Sequence, residues 1–557
     1  MNPFHLVVID TRGIQQYIFG SNRLRENVGA SHLVYLATEG WLFEEPDDFL
    51  PSGKHNIVEQ KRLDDRPVAP DSSWTAELLY SGGGNAVLLF RNEKDAKHFV
   101  RNYSQRLLEK APGLDAVIVR HEFLWSETLL ATAVEDALAA LDQKKSSSAG
   151  WEPLLGLGIT AACQSTGLPA HFVRRRPPEI NGPFVSVSAE VTSKWDTVND
   201  AKERLNHLYS LSEGLRYPDD FDDLGREKGR SSYIGVVHAD GNSLGQVLAK
   251  INQRHQNPDM PHTEANQSYL GDMRSFSDAV KTAGNNALCS VLAAVERWNL
   301  NGLRTLPERG EVDDQGISLP PYEKEKDGSY YLSIRPIVYG GDDVTFVCEG
   351  RIALQAAQIF LTEFSKQQIP GVDRPIAAAG VSIVKAHYPF VRAYQLAEDL
   401  AKNAKIDSGR DYPALDWHLA QSGIFESLKS LREREYGTRH NGTLLMRPLA
   451  ISDGENWRTW ENFAHMVSAF QNDEQFPRTQ VMDLRRALRE SSPNDTGNVR
   501  KVTEVWEGRK IFLPSLQGLS ESYSQNGWVG KQCVYYDAIE MKDQLLEMIT
   551  ELDEEKT

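Results

Sequence analysis

One order of apolar runs and glycine turns occurs twice along the chain, which constrains it to fold as two related units. FHLVVID is a strand, and WTAELLYSGGGNAVLLF is two apolar runs joined by glycines, the pattern of a hairpin. EKDAKHFVRNYSQRLLEKA, AVIVRHEFLW and LLATAVEDALAALDQKK then read as helix, strand and helix. The order returns at Tyr233 with YIGVVHAD, then GNSLGQVLAKINQ and a long helix expected over about 274–299. The hairpin YYLSIRPIVYGGDDVTFVCEG follows, then RIALQAAQIFLTEFSK, IAAAGVSIVKA and VRAYQLAEDLAKNAKI as helix, strand and helix. SGGGN in the first half stands where YGGDD stands in the second. Two copies make a duplicated domain and not a solenoid. In the first copy, Ile14, Ile18 and Leu24 start a helical periodicity. Leu33, Tyr35 and Leu36 sustain it after a turn expected near Gly29.

The rest of the chain is less regular. Residues 146–225 read as a connecting module, and the charged stretch DFDDLGREKGRS as a solvated boundary. Beyond about 446 the composition points to a helical domain. The four cysteines form no CxxC pair, which argues against a structural zinc site and for free thiols. No stretch has the eighteen or so apolar residues that span a bilayer, so a soluble, cytoplasmic protein is expected. The net charge of −17 argues against broad non-specific binding to nucleic acid. It leaves room for an acidic site that takes up divalent cations.

YGGDD is the densest chemistry in the sequence. Read alone, it is an Asp-rich hairpin turn. Two adjacent acids between buried strands are costly unless bonded or metal-bound. A second strand, YIGVVHAD, also ends in a carboxylate, Asp240. If the two strands are neighbours, Asp240, Asp342 and Asp343 share one sheet edge and supply the hard oxygen ligands of Mg²⁺. Two such ions clamp a nucleoside triphosphate, activate an attacking hydroxyl and stabilise the leaving pyrophosphate. Gly340 and Gly341 leave room for substrate. Gly241, Asn242 and Ser243 open a helix whose amides suit phosphate, with Ser243 as a plain N-cap the other reading. Lys402 and Lys405 share a helical face and are candidates to hold a triphosphate, as is Arg410; a solvated helix end is the alternative. His238 points to the same side as Asp240 and is read as packing or as part of the site.

The first turn has lost its acids. Gly84 and Asn85 take the places of Asp342 and Asp343, and Asp10 alone makes a poor two-metal site. Gly83, Gly84 and Asn85 still suit nucleotide contact, so this half is expected to hold an acceptor nucleotide. Arg12, Arg23 and Arg25 are candidates to neutralise its phosphates.

DTRGIQQYIFGSNRLRENVGAS, YSGGGN, HADGNSLG, RPIVYGGDDVTF, AAGVSIVKAHYP and AEDLAKNAK, in that order, resemble the Cas10 family. This is the Cmr2/Csm1-like large subunit of type III CRISPR effector complexes. The resemblance covers roughly 5–145 and 230–420. It implies an α+β fold of two ferredoxin-like Palm domains, like those of nucleotide cyclases and GGDEF proteins. The first, degenerate Palm is expected at 1–145, the connecting module at 146–225, the catalytic Palm at 226–445 and a helical domain at 446–557. It also implies cyclic oligoadenylate synthesis from ATP with Mg²⁺ or Mn²⁺ in antiviral defence. Asp240, Asp342 and Asp343 would be the metal-holding acids, and the partners would be other effector subunits and, through them, guide and target RNA. Two departures stand out. The first Palm strand begins at His5 or Leu6 and no His-Asp doublet occurs, so no HD nuclease domain is expected. The family's usual zinc cysteines are also missing from the connecting module. Rival readings are a synthetase with another cyclic or linear product, a scaffold that binds nucleotide or RNA without reacting, and acids that only cap a turn.

Overall fold

The computed structural model describes residues 3–58, 62–63, 74–82, 84–147, 156–177, 183–224, 233–256, 261–304, 319, 329–420, 427–451, 457–519, 523 and 526–546. Two sheets carry the repeated pattern, the first wholly antiparallel and the second with one parallel pair. In the first, β1 (Phe4–Arg12) lies between β3 (Asn85–Phe90) and β4 (Asp115–Phe123), with β2 (Ala76–Gly82) outside β3. In the second, β5 (Tyr233–Gly241) lies between β7 (Val344–Glu349) and β8 (Ala377–Lys385), with β6 (Ile334–Val338) outside β7. Taking each unit's own strands in chain order, both sheets run second, third, first, fourth. The two halves thus share a topology as well as a sequence pattern.

The helices fall in matching places. In the first unit they are α1 (Leu24–Tyr35), α2 (Glu93–Lys110) and α3 (Leu130–Ser147). Two connecting helices follow, α4 (Ala189–Asp196) and α5 (Val198–Leu208). The second unit has α6 (Leu244–Arg254), the 43-residue α7 (His262–Arg304), α8 (Ala353–Ser365) and α9 (Phe390–Asp407). It also adds β9 (Ala414–Leu419), parallel to β8, and the short β10 (Leu449–Ala450). The C-terminal part holds α10 (Trp460–Gln471), α11 (Arg478–Glu490) and α12 (Gly497–Glu507).

Strand alternation places the core. Leu6 and Val8 of β1 face one apolar cluster, with Val237 and Ala239 of β5; Val7 and Ile9 face a second, with Ile234 and Val236. Both clusters draw on both sheets, so the central strands are buried on two faces and the units share a core. Phe19 stacks on Tyr394 with ring centroids 3.8 Å apart, and Asn22 Oδ1 accepts from the Phe390 amide at 2.8 Å, joining the halves further. Among the described residues no helix is long and apolar enough to cross a membrane.

Two sequence expectations are corrected, and one strand was not anticipated. No turn occurs at Gly29: the break falls at Gly20–Arg23, and Gly29 lies inside α1. A Cβ there would stand 1.9 Å from the Lys194 carbonyl oxygen, so this glycine serves close packing of α4 and not a bend. The long helix starts at His262, directly after Pro261, and buries Tyr269, Leu270 and Met273 along its added turns. The strand ALDWHL was missed, and its place between β8 and β10 with both faces covered explains the lack of a clean polar alternation.

Candidate active site

The second hairpin meets the end of β5 as the sheet register requires. Ala239 pairs with Val344, so Asp240 and the Asp342–Asp343 turn arrive at the same edge. Gly241 makes the approach possible: a Cβ there would lie 2.9 Å from the Asp342 Cβ and 3.0 Å from its Oδ2. Gly340 has φ 105, a left-handed value that glycine adopts without penalty. The turn is seated on α7, because a Cβ at Gly284 would stand 1.9 Å from the Gly341 carbonyl oxygen. Sequence reasoning missed Gly284. Its only signal was a glycine inside an otherwise helical pattern.

Charge is concentrated here. Burial raises the Asp342 carboxyl, and Asp240 and Asp343 add to this, pushing it up to about 6. Burial also pushes Asp343 up, opposed by His238 and reinforced by Asp240. The Asp343 side chain is still 49 % exposed at the mouth of the site, so water moderates that push. Lys405 Nζ meets Asp240 Oδ2 at 2.5 Å and donates to the Gly241 carbonyl at 3.0 Å. His238 is buried, with Nδ1 3.1 Å from Thr345 Oγ1 and 3.3 Å from Asp343 Oδ1. It therefore packs and faces the site at once. Lys402 instead pairs with Glu398 at 2.9 Å. Burial pushes Glu398 up, but Lys402 and Gln15 outweigh it and hold that carboxyl below its usual range.

The loop after Asp240 departs from expectation. The Asn242 amide donates to the Ile376 carbonyl at 2.7 Å, so that N–H is committed to the fold and not to phosphate. The Asn242 side chain is buried, and among the described residues neither amide atom has a hydrogen-bond partner. Ser243 holds the N-cap position of α6 with φ 63 and no side-chain cap bond, which removes the plain N-cap reading. Its counterpart in the first unit, also three residues after the strand aspartate, is Gly13 with φ 61. Arg410 has φ 68, just past the end of α9.

The first hairpin keeps the frame without the acids. Gly82 and Gly84 have φ 151 and 87, and Asn85 pairs with Asp10 across β1 and β3. Gly83 lies outside the described residues. Asp10 is paired with Lys145, as Asp240 is with Lys405. The three arginines proposed for phosphate are engaged by acids of the fold: Arg12 by Asp115 at 2.8 Å, Arg25 by Asp219 at 3.3 Å and Arg23 by Glu26 at 3.8 Å. Each of the three therefore has an acid partner within the fold.

A pocket of about 290 Å³ joins the two turns. Gly82 and Asn85 line it from one side and Gly340, Gly341 and Asp342 from the other, with Phe276 and Val280 of α7 between. Its walls are largely apolar, as suits a planar base, and at the end formed by the second turn lies Asp342. The donors at that end are carboxylate oxygens, the ligand class of Mg²⁺ and Mn²⁺. Among the described residues no group of three or more His, Cys, Asp or Glu side chains already stands arranged around an ion position. Mg²⁺ usually takes one or two carboxylates and completes its shell with water and phosphate, so a preformed cage is not required.

A family model described as the second palm domain of Cas10/Cmr2 matches residues 233–414, the stretch that carries all three acids and Lys405. Over that stretch the chain is similar to the Cas10/Cmr2 second palm. No curated protein matches its sequence. Among solved structures, the chain is similar in fold to a Csm1–Csm4 cassette in complex with pppApApA, at TM-score 0.51 and 12% identity over 98% of this chain and 69% of that one. It is also similar to a Csm1–Csm4 cassette in complex with cA4, at TM-score 0.49 and 12% identity over 98% and 70% of the two chains. Csm1 from T. onnurineus matches at TM-score 0.49 and 13% identity, over 97% and 69%.

Proposed function

We propose that this chain is a palm-type nucleotidyltransferase that joins ATP into cyclic oligoadenylates within a type III CRISPR effector assembly. Residues 1–145 then form a degenerate ferredoxin-like Palm, 146–225 a connecting module, 226–445 the catalytic Palm and 446–557 a helical domain. The observation that carries the reading is the asymmetry of one pocket. Two hairpins of the same topology face it, and only the second lines it with a carboxylate, that of Asp342. The family match over 233–414 and the fold shared with a cassette holding pppApApA support it. The partners proposed are other effector subunits and, through them, guide and target RNA.

Asp240, Asp342 and Asp343 would hold Mg²⁺ or Mn²⁺, which supplies Lewis acidity toward the attacking hydroxyl and the leaving phosphates. Gly340 and Gly341 let the donor triphosphate approach the backbone, and Lys405, once released from Asp240, is placed to meet a phosphate oxygen. Gly84 and Asn85 sit on the acceptor side. The acceptor 3′ oxygen bonds to the donor α-phosphorus as the bond to pyrophosphate breaks, and the hydroxyl proton passes to water. Repetition and a final intramolecular attack close the ring.

The test is incubation of the full chain, alone and with any subunits that co-purify, with ATP and Mg²⁺ or Mn²⁺. Pyrophosphate and a cyclic product by mass spectrometry are expected, and both disappear in D342A/D343A. ATP binding without pyrophosphate release would identify a binding scaffold and sink the proposal, as would an unchanged rate in the double variant. Separate incubations with each nucleotide decide the base.

A further inference from the structure

The catalytic turn is supported from behind by a residue of the connecting helices. Arg204 lies on α5, and its Nη2 donates to the Tyr339 carbonyl at 3.1 Å. Its guanidinium carbon stands 3.8 Å from the Tyr35 ring centroid and 4.3 Å from that of Tyr339. Tyr35 ends α1, and Tyr339 immediately precedes Gly340. A Cβ on Gly340 would meet Arg204 Nη2 at 3.0 Å, so the backbone entering the acids rests directly on the guanidinium.

The other side of that support is firmly built. Gly29 of α1 closes against the Lys194 carbonyl. Lys194 Nζ donates to the Tyr17 carbonyl at 2.8 Å, and Thr197 Oγ1 to the Gly29 carbonyl at 3.3 Å. Helices α1, α4 and α5 are thereby pinned to one another, and Arg204 links them to the strand end that leads into Gly340 and Gly341. An arginine suits this place because its planar fork stacks on rings and donates in plane at once, which a lysine cannot do.

We propose that Arg204 is a positioning residue for the Gly340–Asp343 turn, fixing the carboxylates relative to the first unit and the connecting helices. It acts through Tyr339 and meets neither nucleotide nor metal. A load placed on α4 and α5 reaches the acids through this side chain. The kinetic part of the inference rests on the reaction proposed above; the geometric part does not.

Arg204→Leu and Arg204→Lys in the full chain test it by two readouts. Hydrogen exchange of the amides at 339–343 is expected to speed up at least about tenfold in both variants, while exchange in β5 and β8 stays as in the parent. With ATP and Mn²⁺, kcat is expected to fall by about ten- to a hundredfold with KM nearly constant, because the acids are misplaced and not removed. Should Arg204→Leu fail to fold, Arg204→Lys carries the same comparison. Parent-like exchange at 339–343 in a folded variant overturns the inference, as does a loss confined to KM. If the parent itself releases no pyrophosphate, the proposed reaction fails and the exchange experiment still decides the role of Arg204.

Discussion

Lys405 Nζ lies 2.5 Å from Asp240 Oδ2, and Lys145 meets Asp10 in the same way in the other half. Each lysine is the third residue from the end of its helix, α9 or α3, and each aspartate lies near the end of a central strand. The duplication thus preserved an ion pair as well as a sheet. In the second half the pair sits beside two further acids, so Lys405 is the counter-charge closest to hand.

Removing that counter-charge should make the protein depend on a cation. Lys405→Met is expected to lower stability in chelator by about 1 kcal/mol, a figure kept small because Asp240 is 41% exposed. Mg²⁺ or Mn²⁺ should raise the melting temperature more in the variant than in the parent. Equal metal-induced shifts would show that Lys405 does not compete for this site.

Two glycines of α7 make a controlled pair. Gly284→Ala would put a methyl 1.9 Å from the Gly341 carbonyl oxygen, whereas a methyl at Gly271 meets nothing within 4 Å. The first change should cost about 1–3 kcal/mol and disturb the Gly340–Asp343 turn. The second should be neutral or stabilise by up to about 1 kcal/mol through helix propensity. Chemical denaturation of both variants checks this, and matching effects would refute the packing assignment.

Ser243 carries backbone strain that its counterpart Gly13 avoids. Ser243→Gly should relieve it and raise stability by up to about 1 kcal/mol. If the hydroxyl serves the nucleotide, turnover falls as stability rises. A variant with parent-like stability and rate would show that Ser243 is neither strained nor used.

His418 gives the second sheet an acid sensitivity of its own. Burial, then Arg447 and Arg432, depress its pKa from the usual 6.5 to about 3. The unfolded chain therefore binds the proton more readily than the folded one. The contribution of neutral His418 is intact above about pH 6.5 and declines as pH falls toward the folded value, by up to about 1.4 kcal/mol per unit. Urea unfolding at pH 7 and 5 should show a shallower loss in His418→Gln than in the parent; identical slopes would place the sensitivity elsewhere.

The two units were readable from sequence because their strands are short apolar runs between glycine turns, and Asp240 could be assigned to the site from its place at a strand end. What stayed hidden depended on tertiary contact. Gly29 and Gly284 look like helix breakers until the carbonyls they admit are seen. Lys402 and Lys405 look equivalent on a helical wheel, and only the presence of Glu398 one turn away from Lys402 separates them. Arg12 and Arg25 look free until Asp115 and Asp219, far along the chain, fold onto them.

Helix α7 touches both turns. Ser277 donates to the Ser81 carbonyl at 3.1 Å in the first hairpin, and Gly284 receives the Gly341 carbonyl in the second. Seven residues separate those two contacts, about 10 Å of helix rise. The gap between the half that has lost its acids and the half that has kept them is a length spelled in amino acids. Evolution can widen or narrow it only in steps of a helical turn, because any smaller insertion would rotate one contact off its hairpin.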